Sequence, residues 1–171
     1  NKIVYATGKW FKTATPFLAK ADPDTRLFDA QQVMSKYLDT VSPKYPTVLK
    51  ANNTAGLNGV PFEYKNLEVN YSTPFAELLK TAKVVILDSP ATTLVEACST
   101  KLPIFVLGGR NEYRQEFIAL ICKRVVWCNT PHELVEKLDQ YLKSDIYSAD
   151  LNDSTFLSDY CAFLSPEEVV R

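Results

Sequence analysis

The chain has 171 residues, of which 46% are hydrophobic and 23% charged, and its net charge is −1. This composition is typical of a soluble globular domain, and the near-zero charge argues against a nucleic-acid-binding surface. No apolar run approaches the ~18 residues of a membrane span. The first residue is Asn1 and a predicted strand begins almost at once, so we expect the chain to be a piece of a longer protein.

Predicted strands and helices alternate along the chain. Short apolar runs predict six strands, at residues 3–6, 47–50, 67–71, 84–87, 103–107 and 125–128. Apolar residues at helical spacing predict helices over residues 24–41, 75–82, 92–100, 111–123 and 131–143. Pro74 is expected to open the second helix with Ser72 or Thr73 as its cap, and Thr130, Pro131 and Glu133 form a capping box for the last.

This alternation predicts an α/β fold with a parallel sheet covered on both faces. The simplest account is one doubly wound, Rossmann-like domain of about six parallel strands in the order 3-2-1-4-5-6, with helices on both faces. The domain is expected to occupy residues 1–143. Residues 144–171 are expected to form a helical tail that packs on the same domain.

The four cysteines are expected to be small core residues in a reducing, cytoplasmic compartment. They lie at positions 98, 122, 128 and 161, and no two have the CxxC spacing of a metal or redox site. Cys98 and Cys122 fall in helices that are predicted to be buried. No acidic pair has metal-ligand spacing either, so no bound metal is predicted.

Two polar loops are predicted to meet at one crevice. In an open parallel sheet, ligands bind at the carboxyl ends of the strands where the strand order reverses. In the order 3-2-1-4-5-6 this point lies between the first and fourth strands. The loops that follow these strands are Thr7-Gly8-Lys9 and residues 88–93, Asp-Ser-Pro-Ala-Thr-Thr.

The second loop leads directly into a helix, which gives its residues a possible role in binding a nucleotide. Thr92 and Thr93 can add hydroxyl donors to the free N–H groups of the helix start, an arrangement that suits a phosphate. Glu96 shares their helix face and is placed to accept hydrogen bonds from a ribose diol. The alternative is structural: Thr92 is a helix cap, and Glu96 complements the helix dipole.

The order of these features resembles the C-terminal, donor-binding half of GT-B-type glycosyltransferases. The likeness is greatest to bacterial surface-polysaccharide and CDP-glycerol glycerophosphotransferase-like enzymes. It is carried by the stretches ILDSPATTLVEACSTKLPIFVL, KIVYATGKW and FAELLKTAKVVILD, and extends over residues 2–143. Two departures are that Leu102 separates Lys101 from Pro103, and that Asn52 stands where the family often has histidine.

The resemblance implies roles for particular residues. Ser89, Thr92 and Thr93 would hold the donor phosphates and Glu96 the ribose, while Thr7, Gly8 and Lys9 would face the pyrophosphate from the opposite wall. Five further positions each have two interpretations. Tyr71, Ser72 and Thr73 either frame the base or cap a helix. Lys50 either neutralises phosphate or is solvated, and Arg110 either contacts an anion or lies in a solvated loop. His132 is expected on the surface, and Asp88 either takes part in binding or caps its turn.

The activity that the resemblance implies is transfer from a nucleotide-activated sugar or polyol, UDP- or CDP-linked, in polysaccharide or glycan biosynthesis. No other cofactor is implied. A glycan or lipid-linked acceptor and the general base would come with a missing N-terminal domain, and the full-length protein would associate peripherally with the inner face of the membrane. The 171 residues alone are therefore expected to show no turnover. The alternatives are a UDP-sugar epimerase of the same architecture and a non-catalytic Rossmann-like binding module.

Overall fold

The computed structural model describes residues 1–8, 24–51, 63–109 and 112–160, without the side chains of residues 24–27. Its six strands form one parallel sheet in the order β3-β2-β1-β4-β5-β6, as the sequence predicts. The strands are β1 (Lys2–Ala6), β2 (Thr47–Lys50), β3 (Glu68–Asn70), β4 (Ala82–Leu87), β5 (Ile104–Leu107) and β6 (Val126–Cys128). The helices are α1 (Asp24–Val41), α2 (Phe75–Leu79), α3 (Thr92–Cys98), α4 (Gln115–Ile121), α5 (Pro131–Ser144) and α6 (Thr155–Tyr160).

The central strands are apolar because both faces of the sheet are covered. Successive side chains of a strand point to opposite faces, so each strand supplies both halves of the core. In β4, Val84 and Ile86 pack in one buried cluster with α1 and α5, whereas Val85 and Leu87 pack in the other with α2, α3, α4 and α6. The crossovers therefore distribute helices to both faces, which is the doubly wound arrangement.

The capping box predicted for α5 is present in the structure. Thr130 is the N-cap, and its hydroxyl oxygen accepts a hydrogen bond from the Glu133 N–H at 3.1 Å. The Glu133 carboxylate in turn accepts from the Asn129 N–H at 2.8 Å. Pro131 occupies the first helical position, where its missing N–H costs nothing. These contacts fix the start of α5, the helix that follows β6.

Three local predictions were wrong. The helix α2 ends at Leu79 because Ala82 already belongs to β4, and its N-cap is Pro74, with no side-chain cap from Ser72 or Thr73. The side chain of Asn70 instead binds the Thr73 N–H and hydroxyl, at 2.9 and 3.0 Å. Cys122 is exposed, since it follows the last residue of the short helix α4 and faces away from the core.

The described part of the C-terminal tail contacts the second core cluster. Phe156 and Leu157 of α6 are buried there, and the Phe156 ring lies 5.9 Å from that of Phe117 on α4. Residues 161–171 lie outside the described residues, so the division at residue 143 stays a prediction. Within the described ranges, no helix combines the length and the apolar character that crossing a membrane requires.

Candidate functional site

The crevice lies where β1 and β4 run side by side at the centre of the sheet. Ala6 pairs with Leu87 at the carboxyl ends of these strands, so Thr7 and Asp88 leave the sheet next to each other. The next helix after β1 is α1, on one face of the sheet, and the next helix after β4 is α3, on the other. Thr7 and Asp88 thus lie at the point where the strand order reverses.

Asp88 holds these loops together. Its side chain is buried, with 2% exposure, and both of its carboxylate oxygens accept from the Gly8 N–H at 2.8 Å. The Gln31 side-chain amide of α1 donates to the same carboxylate at 2.8 Å, and the Ser89 hydroxyl lies 3.4 Å from it. Asp88 therefore contacts the loop after β1, its own loop and the helix α1.

The wall formed by the loop after β1 has few donors left for a ligand. The Thr7 N–H donates to the Lys50 carbonyl at 3.1 Å, and the Thr7 hydroxyl lies 3.4 Å from the same oxygen. The Gly8 N–H is engaged by Asp88. Lys9, the third residue predicted on this wall, lies outside the described residues.

The opposite wall has free hydrogen-bonding groups. The N-cap of α3 is Ala91, so Thr92 is the first helical residue and does not cap the helix by its side chain. Among the described residues, none hydrogen-bonds to the hydroxyls of Thr92 and Thr93 or pairs with the carboxylate of Glu96. Glu96 is exposed and lines a cavity of about 300 Å³ between α2 and α3.

The residues predicted around the base lie beside β2 and β3. The Lys50 ammonium donates to the Tyr71 carbonyl at 2.8 Å, and partial burial lowers the pKa of Lys50. Lys50 is therefore only partly solvated. Its contact in the described structure is with the Tyr71 carbonyl and not with a residue of the β1–β4 crevice. Tyr71 is 36% exposed, and with Ser72 and Thr73 it forms the turn before α2.

A second cavity, of about 380 Å³, opens at the carboxyl ends of β5 and β6. It lies between the start of α1 and the start of α5, and the exposed His132 is on its rim with Asp29. Gly109 forms part of its wall, and a Cβ at this position would lie 1.8 Å from the Asn129 carbonyl oxygen. Arg110, which follows, lies outside the described residues.

Sequence reasoning missed Gln31. It lies on α1 between positions predicted as apolar, and the structure places it at 0% exposure against Asp88. A polar residue on the buried face of a helix is the signal that could have identified it, because a buried amide needs a partner. Among the described residues, no three His, Cys, Asp or Glu side chains form a group that could hold a metal ion.

Solved structures share this architecture at low sequence identity. They include the glycosyltransferase SnogD from Streptomyces nogalater (TM-score 0.52, 16% identity, 84% of this chain and 35% of that chain). The glycotransferase of kitacinnamycin matches with a TM-score of 0.53 and 13% identity, over 92% of this chain and 37% of that one. The chain has the fold of one half of a GT-B structure.

A third match is UDP-GlcNAc 2-epimerase from Neisseria meningitidis, solved with UDP-GlcNAc bound (TM-score 0.54, 15% identity, 91% of this chain and 40% of that chain). The present chain therefore spans well under half the length of each of these three proteins. No protein-family model and no curated protein sequence matches it. At these identities, the likeness to the GT-B structures establishes the fold and leaves the ligand to be argued from the site.

Proposed function

We propose that this chain is the C-terminal, donor-binding half of a glycosyltransferase and binds a nucleotide-activated sugar or polyol. The observation that carries the proposal is the pair of unlike walls at the β1–β4 switch point. One wall has its backbone donors engaged, whereas the other presents Thr92, Thr93 and Glu96 without partners among the described residues. Structures of the same fold include glycosyltransferases and an epimerase with UDP-GlcNAc bound.

In this proposal the hydroxyls of Ser89, Thr92 and Thr93 hold the donor phosphates. They would stabilise the charge that develops on the leaving nucleotide when an acceptor hydroxyl displaces it. The Glu96 carboxylate would accept hydrogen bonds from the ribose, and the base would lie towards the turn that includes Tyr71.

The finer assignment rests on the resemblance in sequence. It places the full-length protein in surface-polysaccharide or glycan biosynthesis, in the cytoplasm at the inner face of the membrane, with a UDP- or CDP-linked donor. The acceptor and the general base would belong to the other half of the enzyme. An epimerase is not favoured: acid/base chemistry needs free carboxylates in the crevice, and of the two predicted there Asp88 is engaged, which leaves Glu96 alone among the described residues.

Titration calorimetry with UDP, CDP and GDP tests the proposal. We expect binding to the 171-residue chain without turnover, and Thr93→Val should weaken it about tenfold, the equivalent of one hydrogen bond to a charged group. Glu96→Ala should weaken nucleotide binding to a similar extent. The matched controls are Thr40→Val and Glu136→Ala, at exposed positions on α1 and α5, and these should leave the affinity unchanged.

Two results would contradict the proposal. Unchanged affinity in both Thr93→Val and Glu96→Ala would refute the placement of the nucleotide. An absence of binding to all three nucleotides at millimolar concentration would favour a non-catalytic binding module instead.

A further inference from the structure

The contacts of Asp88 converge from three separate parts of the chain. The Gly8 N–H comes from the loop after β1, the Gln31 amide from the buried side of α1, and the carboxylate itself from the end of β4. Hydrogen bonds to an ionised carboxylate are stronger than those between neutral groups. At 2.8 Å and with Asp88 and Gln31 nearly inaccessible, these contacts are well formed and shielded from water.

We propose that Asp88 is a positioning residue that fixes the loop after β1 against the loop after β4 and so sets the width of the donor crevice. This inference rests on the proposed function. Asp88 does not bind the donor phosphates itself, because its side chain is only 2% exposed and its negative charge would repel them. A phosphate is instead held from the wall of Ser89, Thr92 and Thr93, while Thr7 and Gly8 form a closed wall opposite.

Reversing the direction of the Gln31–Asp88 hydrogen bond distinguishes a role of Asp88 in positioning the loop from a general contribution to stability. Asp88→Asn places an amide N–H₂ where the carboxylate accepted hydrogen bonds, so that a donor faces either Gly8 or Gln31. Adding Gln31→Glu supplies an acceptor for that new amide and restores the total charge. The asparagine oxygen can then accept from Gly8 while its amide group donates to Glu at position 31.

The experiment follows two properties of the same variants. Hydrogen exchange of the Gly8 amide, measured by NMR, reports whether the loop after β1 is held, and calorimetric titration with UDP or CDP reports the crevice. We expect Asp88→Asn to raise Gly8 exchange at least tenfold and to weaken nucleotide binding about tenfold. The double variant with Gln31→Glu should return both properties to within about threefold of the unmodified chain.

The matched control is Asp88→Asn combined with Gln32→Glu, which makes the same charge change one residue away and lines a different cavity. It should rescue neither property. If Asp88→Asn fails to fold, Gln31→Met keeps the carboxylate, removes one contact and should give smaller changes in the same directions.

The proposal is overturned if Asp88→Asn leaves the affinity of the folded protein unchanged, or if Gln31→Glu does not restore Gly8 protection. Failure of the unmodified chain to bind any nucleotide would count against the proposed function. The Gly8 exchange data would still decide whether Asp88 fixes the loop, so the two failures are distinguishable.

Discussion

The polar groups of the described residues differ between the two ends of the strands, which we call the amino edge and the carboxyl edge of the sheet: those at the amino edge are paired, and several at the carboxyl edge are not. At the amino edge, the Tyr147 hydroxyl accepts from the Ile104 N–H at 3.0 Å and lies within 3.0 and 2.9 Å of the carbonyls of Ile104 and Arg124. The buried Arg124 guanidinium donates to the carbonyls of Thr100 and Leu102 at 2.7 and 2.9 Å. At the carboxyl edge, the hydroxyls of α3 have no such partners among the described residues.

This difference follows from what each edge must do. Backbone groups in the turns before β5 and β6 are removed from water, so side chains have to satisfy them. At the carboxyl ends of the strands, the start of α3 leaves polar groups in solvent, since Thr92 is exposed and Thr93 is half-buried. Substitutions at the amino edge are therefore expected to change stability without changing ligand binding, and those on the α3 wall to do the reverse.

The largest effect is expected at Gly108, which tests whether the carboxyl edge is as loosely packed near β5 and β6 as it is at the crevice. A Cβ at Gly108 would lie 1.7 Å from Cζ2 of Trp127, whereas a Cβ at Gly8 would meet Asp88 at 3.4 Å, an ordinary contact. Gly108→Ala should therefore lower the free energy of unfolding by about 3 kcal/mol through overpacking. Gly8→Ala, its matched control in the crevice, should cost less than about 1 kcal/mol.

Urea unfolding of the two glycine variants measures this difference. Equal losses would mean that the β5–β6 end and the crevice are packed alike, and the contrast between a tight and an open part of the carboxyl edge would not hold.

An intermediate effect is expected at the amino edge. Tyr147→Phe removes the hydroxyl and leaves the Ile104 N–H without its partner, a loss of about 2 kcal/mol. For a chain of this size, thermal unfolding should shift down by about 6 °C. Tyr160→Phe is the control, because Tyr160 is 53% exposed and its ring contacts do not need the hydroxyl.

Nucleotide affinity provides the second readout for Tyr147→Phe. It should match that of the unmodified chain when both are measured well below their unfolding temperatures. A tenfold weaker affinity would show that the two edges are coupled, and the division between stability and binding would have to be abandoned.

The sheet was predictable because its strands are short, apolar and separated by helical patterns. The helix α1 was predicted at the bounds observed, since Met34 and Leu38 repeat at helical spacing and are buried. One error came where a neighbouring side chain takes the group on which the predicted cap depends. The N-cap of α2 is Pro74, since the Asn70 side chain hydrogen-bonds to the Thr73 N–H and hydroxyl.

The position of the crevice was predictable from strand order alone, but its internal contacts were not. Gly8 and Asp88 are 80 residues apart, and Gln31 and Asp88 are 57 apart, so no local pattern announces their hydrogen bonds. The resemblance implied that Gly8 faces the pyrophosphate, whereas in the structure its N–H donates to Asp88. The phosphate and ribose roles of Ser89, Thr92, Thr93 and Glu96 stay predictions until nucleotide binding is measured.

The smallest expected effect concerns Glu133, a carboxyl-edge group that does have partners. The Lys137 ammonium at 2.7 Å and the Asn129 N–H hold the pKa of Glu133 below its usual 4.5. A carboxylate with a lowered folded-state pKa stabilises the fold above the unfolded-state value and loses that contribution as the pH falls through the folded-state value. Glu133→Gln should thus cost about 0.5 kcal/mol at pH 7, since the pair is partly exposed and screened by solvent.

The unfolding free energies of the unmodified chain and Glu133→Gln should converge as the pH falls through the lowered pKa of Glu133, because the carboxyl then becomes protonated and neutral. Glu136→Gln on the same helix is the matched control, since Glu136 is exposed and contacts only Gln140, at 3.5 Å, among the described residues. A cost for Glu133→Gln that does not shrink as the pH is lowered would assign the effect to the shape of the α5 cap and not to its charge. In that case the engaged groups of the carboxyl edge, such as Glu133, would stabilise the fold through their geometry, as Tyr147 does at the amino edge. The two edges would then differ only in that the carboxyl edge leaves other polar groups free.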